Sequence, residues 1–425
     1  MQVKAQSLYF PPLTGSTWDT VSPQSLNWCI GYIDTLYNYL QAENTRAFIV
    51  LKDGKIVLEK YFGNHTRDSL WYWASAGKTL TAFLVGKAQE ENKLKILDTT
   101  SKYLGIGWTS LTTQQEEKIT IRHQLSMTTG LDDNVPDVDC TQDTCLQYLA
   151  EPGTRWAYHN APYTLLEDVV SAATGTDYNV YTTQKLKSLT GMTGFWFRTG
   201  PYNNVYYSNA RSMARFGLLM QNKGKWNTTV VLSDTQYLNQ MINTSQNINL
   251  SYGYLWWLNG KPSFMLPGVQ LTFPGSWAPN APADMHAALG KNGQVINVSP
   301  SKGLVVVRMG DATNGSGGAV SIELSDEIWK RLNLIMCNTT SVNESKVMQS
   351  KIEVYPNPAE GMVYIKGSEN SKIVISDISG RTIKAMMNTR NLSAFPIDIS
   401  DLSAGTYFVS VQSDEFKTVG KLVVK

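Results

Sequence analysis

Trp71-Tyr72-Trp73-Ala74-Ser75-Ala76-Gly77-Lys78-Thr79-Leu80-Thr81-Ala82-Phe83-Leu84 is the stretch that decides how the rest of the chain is read. Leu80, Phe83, Leu84 and then Ala88 recur at helical spacing, so a largely buried helix is expected with Ser75 near its start. One turn of that helix returns Lys78 to the side of Ser75. A serine hydroxyl is a weak nucleophile until a base takes its proton, and a lysine held in a desolvated pocket loses enough basicity to be that base. The same spacing also describes a serine that caps a helix and a lysine that snorkels to solvent. A short motif recurs by accident, so companions elsewhere in the chain must decide.

Upstream, residues 1–22 are rich in Pro, Ser and Thr and read as an N-terminal surface extension. Leu26, Cys29, Ile33, Leu36 and Leu40 then mark one face of a helix. Strands are expected over 47–52 and 55–62, joined through Asp53-Gly54, a strong hairpin signal. Downstream, short helices are expected over 119–125 and beyond the turn at 151–160, and an amphipathic helix over 208–221. Strands return at 253–258, 294–299 and 304–309 before a helix at 322–334. This order predicts an α/β domain over 23–337, an antiparallel sheet flanked by helices with an all-α subdomain, about 75–245, inserted between its strands. Residues 338–350 shift to Asn, Thr, Ser and Lys and read as a linker. Residues 351–425 alternate in short runs and predict a small all-β sandwich.

Two further stretches carry chemistry. In Tyr158-His159-Asn160 the phenol can shuttle a proton and the amide can bond Lys78 or a substrate, although an aromatic under the Pro152-Gly153 turn with a locally bonded asparagine fits the same residues. In Ala288-Leu289-Gly290-Lys291-Asn292-Gly293-Gln294 the glycines let a backbone approach a ligand and Lys291 can face an anionic group, against the alternative of a solvent-facing turn.

Taken in order, Ser75-Ala76-Gly77-Lys78, Tyr158-His159-Asn160 and the turn Gly290 to Gly293 resemble the motif set of the penicillin-recognising serine hydrolases. That superfamily includes class C β-lactamases, D-alanyl-D-alanine carboxypeptidases, esterases and 6-aminohexanoate-dimer hydrolase. The third motif departs from its pattern: Lys291-Asn292-Gly293 lacks the threonine of Lys-Thr-Gly, and the other alignment, on Ala288-Leu289-Gly290, keeps only the glycine. The resemblance implies a β-lactamase-like fold over about residues 20–335. It implies that Ser75 is acylated, that Lys78 and Tyr158 move the proton, and that amides of Ser75 and the strand around Gly290 to Gln294 form the oxyanion hole. Asn160, Gly290, Lys291, Asn292 and Gly293 would meet a small-molecule or short-peptide substrate. An ester or amide is expected. A class C-like β-lactamase or a D-amino-acid peptidase is the alternative, and a catalytically silent binding or sensor domain the alternative of another class. No cofactor and no metal are expected.

The tail carries a second resemblance. Val354-Tyr355-Pro356-Asn357-Pro358-Ala359, Ile378-Ser379-Gly380-Arg381, Leu402-Ser403-Ala404-Gly405-Thr406-Tyr407 and Lys421-Leu422-Val423-Val424-Lys425 are similar to the C-terminal sorting domain of type IX secretion in Bacteroidetes-type bacteria. This implies the type IX secretion machinery as partner, and a secreted or cell-surface location on a Gram-negative cell after periplasmic transit. Residues 1–6 show no apolar signal segment, which fits either a cytoplasmic protein or a processed form. Four cysteines offer Cys140 with Cys145 and Cys29 with Cys337 as disulfides of an oxidising compartment, with free thiols as the alternative. With 37 basic and 35 acidic side chains and no basic cluster, nucleic acid is not an expected partner. The longest aliphatic run, 304–307, is strand-length, so no transmembrane segment is expected.

Overall fold

Asp53 and Gly54 both hold positive φ, 49° and 85°, as a two-residue hairpin turn requires. They lock strand β1 (Thr45–Lys52) against β2 (Lys55–Tyr61), with Lys52 paired to Lys55. Glycine is needed here for space as well, because a Cβ on Gly54 would collide with the Tyr9 carbonyl. The computed structural model describes residues 8–314, 320, 322–337, 352–368, 370–378, 380–388, 392, 394–412 and 417–425. The expected linker 338–350 and the first residues of the N-terminal extension lie outside them.

β3 (Trp257–Leu258), β4 (His286–Gly290), β5 (Gln294–Ser299) and β6 (Leu304–Gly310) complete a six-stranded sheet. Its order is β2-β1-β6-β5-β4-β3, and every neighbouring pair is antiparallel. β4 is the strand that the sequence reading lacked: that reading has the glycine-rich turn at 290–293 and a strand from 294, but no strand over 286–290. His-Ala-Ala-Leu-Gly has neither alternation nor β-branched residues, and only its complete burial explains it as a strand.

Helices cover both faces. Ile296 lies against Gly217 of a helix at Ala210–Gln221, whereas Asn297 donates a 2.7 Å hydrogen bond to Ser325 of a helix at Ile322–Ile335. Neighbouring strand residues point to opposite faces, so these two helices lie on opposite sides. The N-terminal helix Ile33–Ala42 packs beside the C-terminal one. The Cys29–Cys337 disulfide joins the chain just before the first of these to the end of the second. Cys140 and Cys145 form the other disulfide, and no cysteine is free.

Between β2 and β3 the chain makes the inserted block. Its central helix α1 (Lys78–Glu90) buries 10 of its 13 residues, the mark of a helix surrounded by protein rather than lying on a surface. Each fully buried Leu or Phe there contributes roughly 1.5–3 kcal/mol. The block is mostly helical, and in addition to the expected helices it carries a three-stranded sheet of Trp71–Tyr72, Phe195–Thr199 and Asn203–Ser208.

The chain forms two compact units, 1–261 with 276–338 and 262–275 with 339–425. The second unit is all β. Its strands include Glu353–Glu360, Met362–Lys366, Lys372–Ser376, Thr382–Met387, Ala394–Asp398, Gly405–Gln412 and Lys417–Val424. Val363, Ile365, Ile373, Ile375, Val409, Val411 and Leu422 alternate inward along them to form its core. Residues 262–275, which the sequence reading kept in the first domain, contribute a short hairpin whose Phe273 meets Phe408 edge-on at 6.4 Å.

Candidate active site

Ser75 is held by the strand that leads into it. Trp71 and Tyr72 pair with Ser208 and Tyr207. Trp73 is fully buried and donates from its amide to the Tyr206 carbonyl (2.8 Å) and from its indole to Ser208 Oγ (2.7 Å). The chain then turns sharply: Ala74 has φ +46°, a left-handed conformation that costs a residue with a Cβ about 1–3 kcal/mol. That turn presents Ser75 in a single 3-10 turn, Ala74–Gly77, from which α1 continues.

Lys78, the first residue of α1, is 3% exposed. Its Nζ lies 3.1 Å from Ser75 Oγ and donates to Asn160 Oδ1 at 2.8 Å. Asn160 opens the short helix Asn160–Thr164. Burial brings the Lys78 ammonium down to about 7, against the opposing pull of the Asp139 and Glu167 carboxylates. A lysine so placed can be neutral near physiological pH and accept a proton from Ser75.

Tyr158 is also buried, stacked on Trp257 (5.9 Å) and edge-on to Tyr252 (6.2 Å). Burial pushes its phenol well above the ordinary tyrosine range, and Ser75 is the polar side chain that opposes that shift. Its oxygen makes no hydrogen bond of good geometry among the described residues. Tyr158 is therefore a neutral phenol facing Ser75, with donor and acceptor capacity left for a ligand. Between these two residues of the second motif, His159 is 2% exposed and burial holds it neutral, down to about 4.

The third motif is brought to Ser75 by backbone rather than by side chains. A Cβ on Gly290, the last residue of β4, would lie 2.5 Å from the Trp73 carbonyl and 3.1 Å from the Ser75 amide nitrogen. Only glycine permits that approach. Asn292 has φ 62° and donates to Tyr72 Oη at 2.6 Å, so its side chain bridges the turn to the strand before Ser75. The buried Arg308 guanidinium donates to the carbonyls of Asn292 and Gly293, which fixes the turn from below. Lys291 is exposed. The structure thus gathers Ser75, Lys78, Tyr158, Asn160 and Gly290 at one place, ties Asn292 and Gly293 into the supporting turn, and leaves Lys291 facing solvent.

Several residues of this neighbourhood were not read from the sequence. Tyr163 lies with its ring centroid 3.9 Å from Lys78 Nζ. Its signal was available, since it stands one helical turn after Asn160. Glu167 is buried, accepts from Asn204 Nδ2 and is pushed up to about 8 by burial. A lone acid on the apolar face of Leu166, Val169 and Val170 was its signal. Arg308, inside the run 304–310, resembled nothing but an interruption of a strand.

Comparison with known proteins gives the following. A model of the β-lactamase family matches residues 40–322, and a model of the secretion system C-terminal sorting domain matches residues 353–425. A curated protein of Bacillus subtilis (strain 168), "Putative penicillin-binding protein PbpX", is 26% identical over 178 residues, covering 37% of this chain and 44% of its own length. Among solved structures, a "Putative 6-aminohexanoate-dimer hydrolase from Bacillus anthracis" superposes with a TM-score of 0.58 at 17% identity, over 75% of this chain and 87% of its own. A family VIII carboxylesterase gives 0.55 at 12% identity, over 74% and 99%. At these identities the two structures share the fold.

Proposed function

The chain belongs to the β-lactamase family, and on that premise we propose that it is a secreted serine hydrolase that cleaves an ester or amide through an acyl-enzyme on Ser75. Its sorting domain marks it for type IX secretion, and no helix among the described residues is long and apolar enough to cross a membrane. The observation that carries the proposal is the desolvated Lys78 amine, held between Ser75 Oγ and Asn160 Oδ1.

In the neutral state of Lys78 the Ser75 O–H donates to Nζ. As Ser75 Oγ bonds to the substrate carbonyl carbon, that proton moves to Nζ and the carbonyl oxygen takes the negative charge. On this reading the Ser75 amide and a backbone amide near Gly290 receive that charge, a reading supported by how closely the end of β4 approaches the Ser75 turn. Collapse of the tetrahedral intermediate breaks the bond to the leaving group. Tyr158, a neutral phenol beside Ser75, relays the proton from Lys78 to the departing oxygen or nitrogen. Water then repeats the sequence against the acyl group, and Ser75 regains its proton.

The third motif favours an ester or uncharged amide over a β-lactam or a peptide with a free carboxylate. A second cation buried beside Ser75 would favour a carboxylate-bearing substrate, and this turn offers none: Lys291 is exposed and Asn292 is committed to Tyr72. Turnover of p-nitrophenyl esters, a neutral amide oligomer, a penicillin and a D-Ala-D-Ala peptide tests this. Higher kcat/KM on the last two than on the esters would reverse the substrate assignment.

A further inference from the structure

We propose that Tyr163 is a positioning residue for Lys78: its ring face forms the floor on which the amine sits, and it stabilises the ammonium formed when Ser75 gives up its proton. The inference rests on the reading of Lys78 as the base. An ammonium has three N–H donors. Ser75 and Asn160 account for two directions around Nζ, at 3.1 and 2.8 Å. Nζ also lies over the Tyr163 ring, centroid 3.9 Å away, much nearer than the Tyr158 ring at 5.1 Å. The remaining titratable groups that bear on Lys78 are Asp139 and Glu167, the latter pushed up to about 8 by burial.

The ring has little freedom to leave. Tyr163 is 3% exposed and sits in the helix that also supplies Asn160. Thr81, one turn beyond Lys78 on α1, accepts from the Tyr178 phenol at 3.0 Å and opposes the upward push that burial gives the Tyr163 phenol. Asn160 and Tyr163 therefore come from one turn of one helix, and Lys78 and Thr81 from one turn of another. An aromatic face attracts a cation more than a neutral amine, and the attraction is strongest where water is excluded. The ring thus favours the protonated product of the abstraction step while leaving the Ser75 direction open.

The test separates the ring face from the phenol oxygen and from packing. Tyr163→Phe keeps the face and Tyr163→Leu removes it. In 13Cε-lysine-labelled protein, the Lys78 resonance, assigned by its loss in Lys78→Ala, is titrated in each form. The expected result is a midpoint about one pH unit lower in the Leu variant and unshifted in the Phe variant. The acidic limb of kcat/KM on an activated ester should move with it, and the plateau should fall about tenfold in the Leu variant only. An unshifted Leu variant, or equal shifts in Phe and Leu, overturns the proposal. Should the Leu variant lose its cooperative melt, Tyr163→Met fills the space without a ring and carries the same two outcomes. Labelling of wild-type Ser75 by a fluorophosphonate is a separate arm: its failure would count against the hydrolase reading, while the titration still decides Tyr163.

Discussion

At the scale of residues, the account turns on which group is the base. Burial lowers Lys78 to about 7 and raises the Tyr158 phenol, so the two residues move in opposite directions and only the amine is deprotonated near neutrality. The sign for activity follows: kcat/KM on an activated ester should rise as pH passes upward through about 7, as Lys78 loses its proton, with no fall from Tyr158 until strongly alkaline pH. A flat profile between pH 5 and 9 would remove Lys78 from the role. Tyr158→Phe keeps the ring among Trp257 and Tyr252 and deletes only the oxygen. We expect about a 10²-fold loss in kcat with little change in KM, read by steady-state kinetics. Ser75, Lys78, Tyr158 and Asn160 were legible in the sequence because their chemistry and order are unusual together. Tyr163 offered only its spacing one turn after Asn160, which does not single it out because an aromatic at helical spacing is ordinarily core; what sets it apart is a 3.9 Å contact across two helices.

At the scale of elements, β4 is what brings the third motif to Ser75. Its register with β5, Gly290 to Gln294 through His286 to Val298, ends the strand at Gly290 against the Trp73 carbonyl. Gly290→Ala should therefore push the strand end away from the Ser75 turn. The expected result is a kcat lower by about 10²-fold, from a displaced oxyanion donor, with a stability loss of about 1–3 kcal/mol from overpacking, seen in denaturant titration. The hairpin at Asp53-Gly54 and the helices at 33–42, 210–221 and 322–335 were readable from turn chemistry and periodicity. β4 was not, because its sequence lacks β propensity and its place is set by strands that pair with it from 257 and 294. In the tail, Thr382–Met387 and Ala394–Asp398 are hard to read as strands for a related reason: their exposed and polar positions dilute the alternation.

At the scale of the whole molecule, one covalent bond closes nearly the full length of the first unit. Cys29 and Cys337 are separated by 308 residues, whereas Cys140 and Cys145 are separated by 5. Loop-closure entropy grows with the length enclosed, so replacing Cys29 and Cys337 together by Ser should cost about 2–5 kcal/mol, more than the same change at Cys140 and Cys145. Thermal melts of the two double variants give the ranking, and equal melting temperatures would contradict it. Both bonds suit the compartment that the sorting domain implies. The central claim, that this fold exists to acylate Ser75, is tested most directly by the intact mass of wild-type protein and Ser75→Ala after brief exposure to p-nitrophenyl acetate. One acetyl adduct, transient and confined to the wild type, is the predicted result, and the same adduct on both proteins would contradict it.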